Sequence, residues 1–271
     1  MMKNKQNIFQ LYGAFSSVRG DRDYQEDQGF VSVEDGKNGI GIICDGIGGL
    51  PNGSEASMTA VQKFLEDFIT IDKSQEDYST FLKKEMHRLD ARVHGMADKN
   101  GRALSAGTTL VAVVIDEEML SWVSVGDSKI YIVRDNMMVQ CNREHNYLTI
   151  LNEMLKDGLI NLDTYNEEIY KGDSLTSFIG MGNLSQIDVN PHPFHLLKND
   201  VVLLCSDGLS KLLMQDEILS VIRRYRDNLE KVLEELQNRA QKKAKTKQVI
   251  QDNTTLAIFS YQEKKEKEKT A

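Results

Sequence analysis

The chain has 271 residues with 33 Lys and Arg against 41 Asp and Glu, a formal net charge of −8, and this balance argues against a general nucleic-acid binder, whose phosphate-facing surface needs clustered Lys and Arg. Hydrophobic residues make up 40% of the sequence, enough for a core, yet no apolar run approaches the length of a membrane span. Three unpatterned cysteines, and an amino-terminal MMKNKQNIFQLYG without a signal-like apolar core, lead us to expect a cytoplasmic protein. Along the chain, apolar runs at 9–18, 29–33 and 40–44 predict strands, with 34–39 as a turn. Val61, Phe64, Leu65, Phe68 and Ile69 then share one helical face, as do Tyr78, Phe81, Leu82, Met86, Leu89, Val93 and Met96, so two long helices follow. Strands resume at 108–115, 119–125 and 129–133, the first two joined by a hairpin at 116–118. From 142 to 174 the pattern becomes polar and irregular, with one short helix over 148–156 and no strand. A surface insertion is expected there, of a length that often carries function. A strand at 201–205, helices over 216–225 and 229–244, and a closing strand at 254–260 complete the series. This order points to antiparallel sheets covered by helices rather than a parallel βαβ sheet. One domain over 1–261 and a charged tail over 262–271 are expected, with Lys242–Lys247 on a solvated helix face and Lys264–Lys269 in the tail.

Five acidic residues stand where apolar stretches run out: Asp27, Asp45, Asp127, Asp207 and Asp252. Taken singly, an Asp-Gly after a strand is most often a tight turn. Asp45-Gly46 and Asp207-Gly208, however, follow strands that read as buried, where a carboxylate without a partner is costly. No Arg or Lys is expected beside them. Two divalent cations sharing one carboxylate would resolve this, and a water between them becomes acidic enough to attack phosphorus. Gly46 leaves its carbonyl open to a cation. Arg22 offers a guanidinium fork matched to phosphate oxygens; its competing role is an exposed ion pair with Asp21, Asp23 or Glu26. Cys44 and Cys205 read as core hydrophobes, as do Met86 and Met96, and neither cysteine opens a Cys-x5-Arg loop. The glycine run Gly46–Gly53 has no Gly-Lys-Ser/Thr after it, and Ser206 lacks the Gly-x-Ser-x-Gly setting of a serine hydrolase.

The series Arg22-Asp23-Tyr24-Gln25-Glu26-Asp27, Cys44-Asp45-Gly46-Ile47-Gly48-Gly49, Ser105-Ala106-Gly107-Thr108-Thr109, Gly126-Asp127-Ser128, Leu175-Thr176-Ser177-Phe178-Ile179-Gly180, Cys205-Ser206-Asp207-Gly208-Leu209 and Asp252-Asn253-Thr254-Thr255 resembles, in order, the motifs of the metal-dependent protein serine/threonine phosphatases of type 2C. The resemblance implies an α+β fold of four layers, α/β/β/α, in which a central sandwich of two antiparallel sheets is flanked by helices. It implies a binuclear Mn2+ or Mg2+ centre at one end of that sandwich. Asp45 would bridge both ions, the carbonyl of Gly46 would bind one, and Asp207 and Asp252 the other. Glu26 and Asp27 would act through metal-bound water, and Arg22 would hold the phosphate. Asp127 resembles the position that, with Asp207, supports a third, weaker metal in some members, and Asp173 is a candidate extra ligand. The implied reaction is in-line attack of a metal-bridging water on phosphoserine or phosphothreonine, without a phosphoenzyme. Ile47 stands where many eukaryotic members carry a histidine. This apolar residue and the compact length resemble bacterial members, and residues 142–180 resemble their mobile flap, in which His145 is expected to be a surface histidine. The implied partners are phosphorylated proteins in signal transduction, met by a monomer that uses neither nucleic acid nor membrane. Two other functions are compatible with the motifs: a phosphatase-like sensor of phosphopeptide or metal with little turnover, and hydrolysis of a small phosphorylated metabolite.

Overall fold

The computed structural model describes residues 9–72 and 75–263. In chain order its elements are β1 (Phe9–Val18), β2 (Asp27–Glu34), β3 (Asn38–Asp45), α1 (Gly53–Phe68), α2 (Tyr78–His94), β4 (Leu110–Asp116), β5 (Met119–Val125), β6 (Lys129–Arg134), β7 (Met137–Gln140), α3 (Tyr147–Lys156), α4 (Leu162–Glu168) with a following 3-10 turn (Ile169–Lys171), β8 (Asp188–Val189), β9 (Phe194–His195), β10 (Val201–Cys205), α5 (Asp207–Ser210), α6 (Gln215–Tyr225), α7 (Leu229–Lys247) and β11 (Thr254–Glu263). One sheet runs β1-β11-β10-β6-β7 and the other β2-β3-β4-β5-β8, with β9 also on β5. Every pairing is antiparallel.

Both faces of the central strands are covered, which is why their sequences read as continuous apolar runs instead of alternating ones. In β10, Val201, Leu203 and Cys205 pack toward α6 and α7 together with Val221, Val232 and Leu236. The intervening Val202 and Leu204 meet Val111, Val113 and Ile43 between the sheets. On the far side, Ile40, Ile42 and Cys44 of β3 pack with Phe64 of α1 and Leu82, Met86 and Leu89 of α2. The result is the four-layer α/β/β/α sandwich. Glycines set the spacing of its middle: a Cβ on Gly41 would lie 2.6 Å from the Phe259 ring, so the absence of a side chain there is what lets Phe259 bury completely.

Three local expectations are corrected. In the 142–174 segment α3 matches the expected helix over 148–156 to within one residue, whereas α4 and the 3-10 turn were not expected. Both helices bury little, only Leu151 in α3 and no residue in α4, and α4 leaves no periodicity to read. Their usable signal is at the starts, where Asn146 and Asn161 accept from the backbone N–H of Thr149 and Thr164. Ile69 and Met96 lie just beyond α1 and α2, and Ile69 is exposed. Finally, β11 runs to Glu263, three residues past the expected strand end at 260; the Lys264–Lys269 run lies outside the described residues. Short β7, β8, β9 and α5 were not predicted.

Candidate metal centre

Strand register brings the acidic positions to one end of each sheet. In one sheet Asp27 pairs with Asp45 at the ends of β2 and β3, and Leu110 pairs with Val125 just before the turn that carries Asp127. In the other, Cys205 pairs with both Leu256 and Lys129, so Asp207 and Asp252 leave β10 and β11 at adjacent strand ends. Between them opens a cleft of about 560 Å³ lined by Glu26, Asp45, Asp127, Asp173, Asp207 and Asp252, with Arg22 and Lys211 as its cationic side chains and Ile47 and Phe178 as apolar wall. Six carboxylates face two cations.

The loop between β1 and β2 is fastened to this end by Asn253. Its Oδ1 accepts from the Glu26 N–H at 2.7 Å, and its Nδ2 donates to the carbonyls of Arg19 at 2.7 Å and Tyr24 at 3.0 Å. Asp21 adds a second clasp, accepting from the Gln251 N–H at 3.0 Å. Arg22, projecting from that loop, donates to Asp252 Oδ2 at 2.6 Å, while Asp252 Oδ1 accepts from the Asn253 N–H. Gly46 follows Asp45 for a steric reason beyond an open carbonyl: a Cβ there would lie 2.4 Å from the Gly53 carbonyl oxygen and 2.8 Å from that of Glu26. Asp27 lies below the cleft floor, 2% exposed. Its Oδ2 accepts from Ser206 Oγ at 2.8 Å, and its buried Oδ1 meets no hydrogen-bond donor among the described residues.

Burial and mutual repulsion raise the carboxyl pKa values in this cluster. Asp45 is pushed well above the usual range, first by desolvation and then by Asp27, Asp207 and Asp127. Desolvation lifts Asp27 to about 6 although Ser206 donates to it, and lifts Asp127 to about 7 with Asp207 adding to the rise. Glu26 is also raised by desolvation, against the pull of Arg22. Carboxylates held this way gain by taking up cations. Among the described residues no group of three or more His, Cys, Asp or Glu is arranged to hold a metal ion as it stands; two side-chain cations take up the outer carboxylates instead. The donor set is nonetheless all hard oxygen, the kind that Mg2+ and Mn2+ select, and the orphaned Asp27 Oδ1 beside Asp45 marks where positive charge is lacking. The residues fit a divalent centre.

Three site expectations change. Arg22 pairs with Asp252, not with its sequence neighbours Asp21, Asp23 or Glu26. Asp207 does have a lysine partner: Lys211 Nζ sits 2.6 Å from its Oδ2 and 3.7 Å from Asp173 Oδ2. The i,i+4 spacing, one helical turn, was the available signal. His145 is no surface residue but 6% exposed; its ring Nδ1 accepts from the Gly126 N–H at 3.1 Å and its backbone N–H donates to the Gly126 carbonyl at 2.8 Å. It ties the insertion to the turn that presents Asp127. Asp173 stands on the cleft rim, largely exposed.

Residues 16–252 match the family described as Protein phosphatase 2C. Among curated relatives, a serine/threonine phosphatase stp of Listeria welshimeri is 28% identical over 224 residues, spanning 82% of this chain and 86% of the relative. The protein phosphatase PhpP of Streptococcus pneumoniae is 27% identical over 187 residues, 67% of this chain and 71% of the relative. Among solved structures, the Staphylococcus aureus serine/threonine phosphatase Stp1 superposes with a TM-score of 0.74 at 21% identity, covering 92% of this chain and 94% of that one. The catalytic domain of the serine/threonine phosphatase PstP, crystallised with two manganese ions, does so with a TM-score of 0.73 at 20% identity over 94% and 100%. Those superpositions establish the four-layer sandwich.

Proposed function

This chain belongs to the protein phosphatase 2C family, and on that footing we propose that it is a metal-dependent serine/threonine protein phosphatase whose Mn2+-requiring centre lies in the acidic cleft. The observation that carries this reading is the convergence of Asp45, Asp127, Asp207 and Asp252, drawn from four separate strand ends, beside an arginine in one cleft. In this reading Asp45, the Gly46 carbonyl, Asp207 and Asp252 would hold two ions, with Glu26 beside them in the cleft and Asp27 beneath its floor. Divalent cations bound there would supply Lewis acidity and a water acidic enough at neutral pH to attack phosphorus. Arg22, half-exposed at the cleft mouth and oriented by Asp252, meets the phosphate oxygens of phosphoserine or phosphothreonine with a bidentate fork. Asp27, fixed by Ser206, holds negative charge under Asp45. Ile47 offers no proton to the departing alkoxide, so that proton comes from solvent in the open cleft.

Mn2+ is favoured over Mg2+ because of the two manganese ions in the PstP structure. Phosphorylated proteins as substrates follow the names of the relatives. Cytoplasmic signalling by a monomer belongs to the same proposal, supported by unpaired cysteines, of which Cys44 and Cys205 are buried. No helix among the described residues is long and apolar enough to cross a membrane. The test is phosphate release from a phosphothreonine peptide with Mn2+, with and without chelator, for the natural chain and Asp207→Ala. We expect Mn2+-dependent turnover that falls at least about a hundredfold in the variant. Equal turnover by both proteins rejects the role given to Asp207.

A further inference from the structure

The cleft charges divide into two wings around Asp45. On one wing Arg22 serves Asp252, with Glu26 close by. On the other, Lys211 is the one cation among the described residues that serves three carboxylates: its Nζ is 2.6 Å from Asp207 and 3.7 Å from Asp173, and its charge also acts on Asp127. Among the described residues no side-chain cation acts on Asp45 or on the Asp27 beneath it. Asp207 and Asp127 are mostly or wholly removed from solvent, whereas the lysine stem reaches the cluster from a half-exposed position one helical turn beyond Asp207. An ammonium is a compact point charge on a flexible stem. It can neutralise a carboxylate group as an ion would, but it cannot accept a ligand or acidify a coordinated water.

We propose that Lys211 is a tethered cation built into the metal centre: its ammonium takes the place that a further divalent ion would occupy among Asp207, Asp173 and Asp127, and thereby limits the centre to the two ions around Asp45. The proposal rests on the metal-centre reading above. The same three carboxylates are a hard-oxygen set of the kind that takes an additional Mg2+ or Mn2+, and a tethered positive charge within ion-pair distance of two of them opposes any such ion directly. An ordinary surface pair between Lys211 and Asp207 would have no such effect on metal count, since exposed i,i+4 pairs contribute little and yield readily.

Mn2+ binding to the full chain, counted by equilibrium dialysis with electron paramagnetic resonance of the free ion, separates these cases. The natural chain is expected to bind two Mn2+, Lys211→Gln three, Lys211→Arg two, and Lys211→Gln with Asp173→Asn two again. The third ion in Lys211→Gln should bind at least about tenfold more tightly than any residual site in the natural chain. Three ions on the natural chain, or two on Lys211→Gln, overturn the proposal. A natural chain that binds no Mn2+ overturns the metal centre itself and this proposal with it, and is thereby distinguished from a failure of Lys211 alone. Lys211→Arg keeps the charge, so three ions on that variant also overturn the proposal even if the Gln variant folds poorly.

Discussion

Asn253 carries little chemistry but should govern both the stability of the cleft and its grip on phosphate. Its side chain is 4% exposed and makes three hydrogen bonds at 2.7, 2.7 and 3.0 Å to the backbone of residues 19–26. In Asn253→Ala the half-buried Glu26 N–H loses its acceptor, at a cost of about 1–2 kcal/mol, and the more exposed Arg19 and Tyr24 carbonyls lose about 0.5–1 kcal/mol each as water replaces the amide. The sum, about 3 kcal/mol, corresponds to a fall in Tm of about 6–12 °C for a domain of this size. Asn253→Asp keeps the acceptor for Glu26 but sets a carboxylate against two carbonyl oxygens, so at neutral pH it should be at least as damaging. Arg22 rides on the released loop, and kcat/KM toward a phosphopeptide should fall by about tenfold or more, mainly through KM. Thermal unfolding followed by circular dichroism, together with steady-state phosphate release, reads both effects. If both variants melt within about 2 °C of the natural chain and keep their kcat/KM, the clasp does not position the site.

Gly46→Ala places a Cβ 2.4 Å from the Gly53 carbonyl; the backbone must move, which should destabilise the chain by about 1–3 kcal/mol and weaken Mn2+ binding, as isothermal titration calorimetry would register. Unchanged binding would show that the Asp45–Gly46 backbone is not held where the packing implies. A pH effect should come from Glu85, fully buried in α2 and 3.3 Å from both Arg88 and Arg92. Burial, with help from Asp67, raises its pKa from 4.5 to about 7 against the pull of the arginines. The folded state therefore keeps a proton that the unfolded state gives up, so the stability it contributes is complete below pH 4.5 and is lost as pH rises through about 7. Glu85→Gln should flatten the decline of Tm between about pH 5 and 8, with a difference of up to about 3 kcal/mol across that range; parallel Tm curves for the two proteins would contradict this.

Most of the sandwich was legible because strands buried on both faces print long apolar runs, and β3, β4, β5, β6 and β10 all do so. What failed to register were elements that bury little: α4 has no buried residue, and β8 and β9 are two residues each. The site divides in the same way. Its carboxylates were visible because charge at the end of a buried strand is unusual. Their counter-charges were not, because pairing across the fold depends on which loops meet: Arg22 and Asp252 lie 230 positions apart. Lys211 was within reach of a helical reading, but the four-residue α5 that sets its spacing is too short for periodicity to reveal. His145 was misplaced for a related reason, since its burial comes from the Gly126 turn rather than from its own polar neighbourhood.

The most direct test is anomalous diffraction from crystals grown with Mn2+. Two peaks should appear on either side of the Asp45 carboxylate, one of them within ligand distance of Asp207 and Asp252, with the Lys211 ammonium still among Asp207, Asp173 and Asp127. A cleft without a peak beside Asp45, at Mn2+ concentrations that support turnover, would contradict the metal-centre assignment.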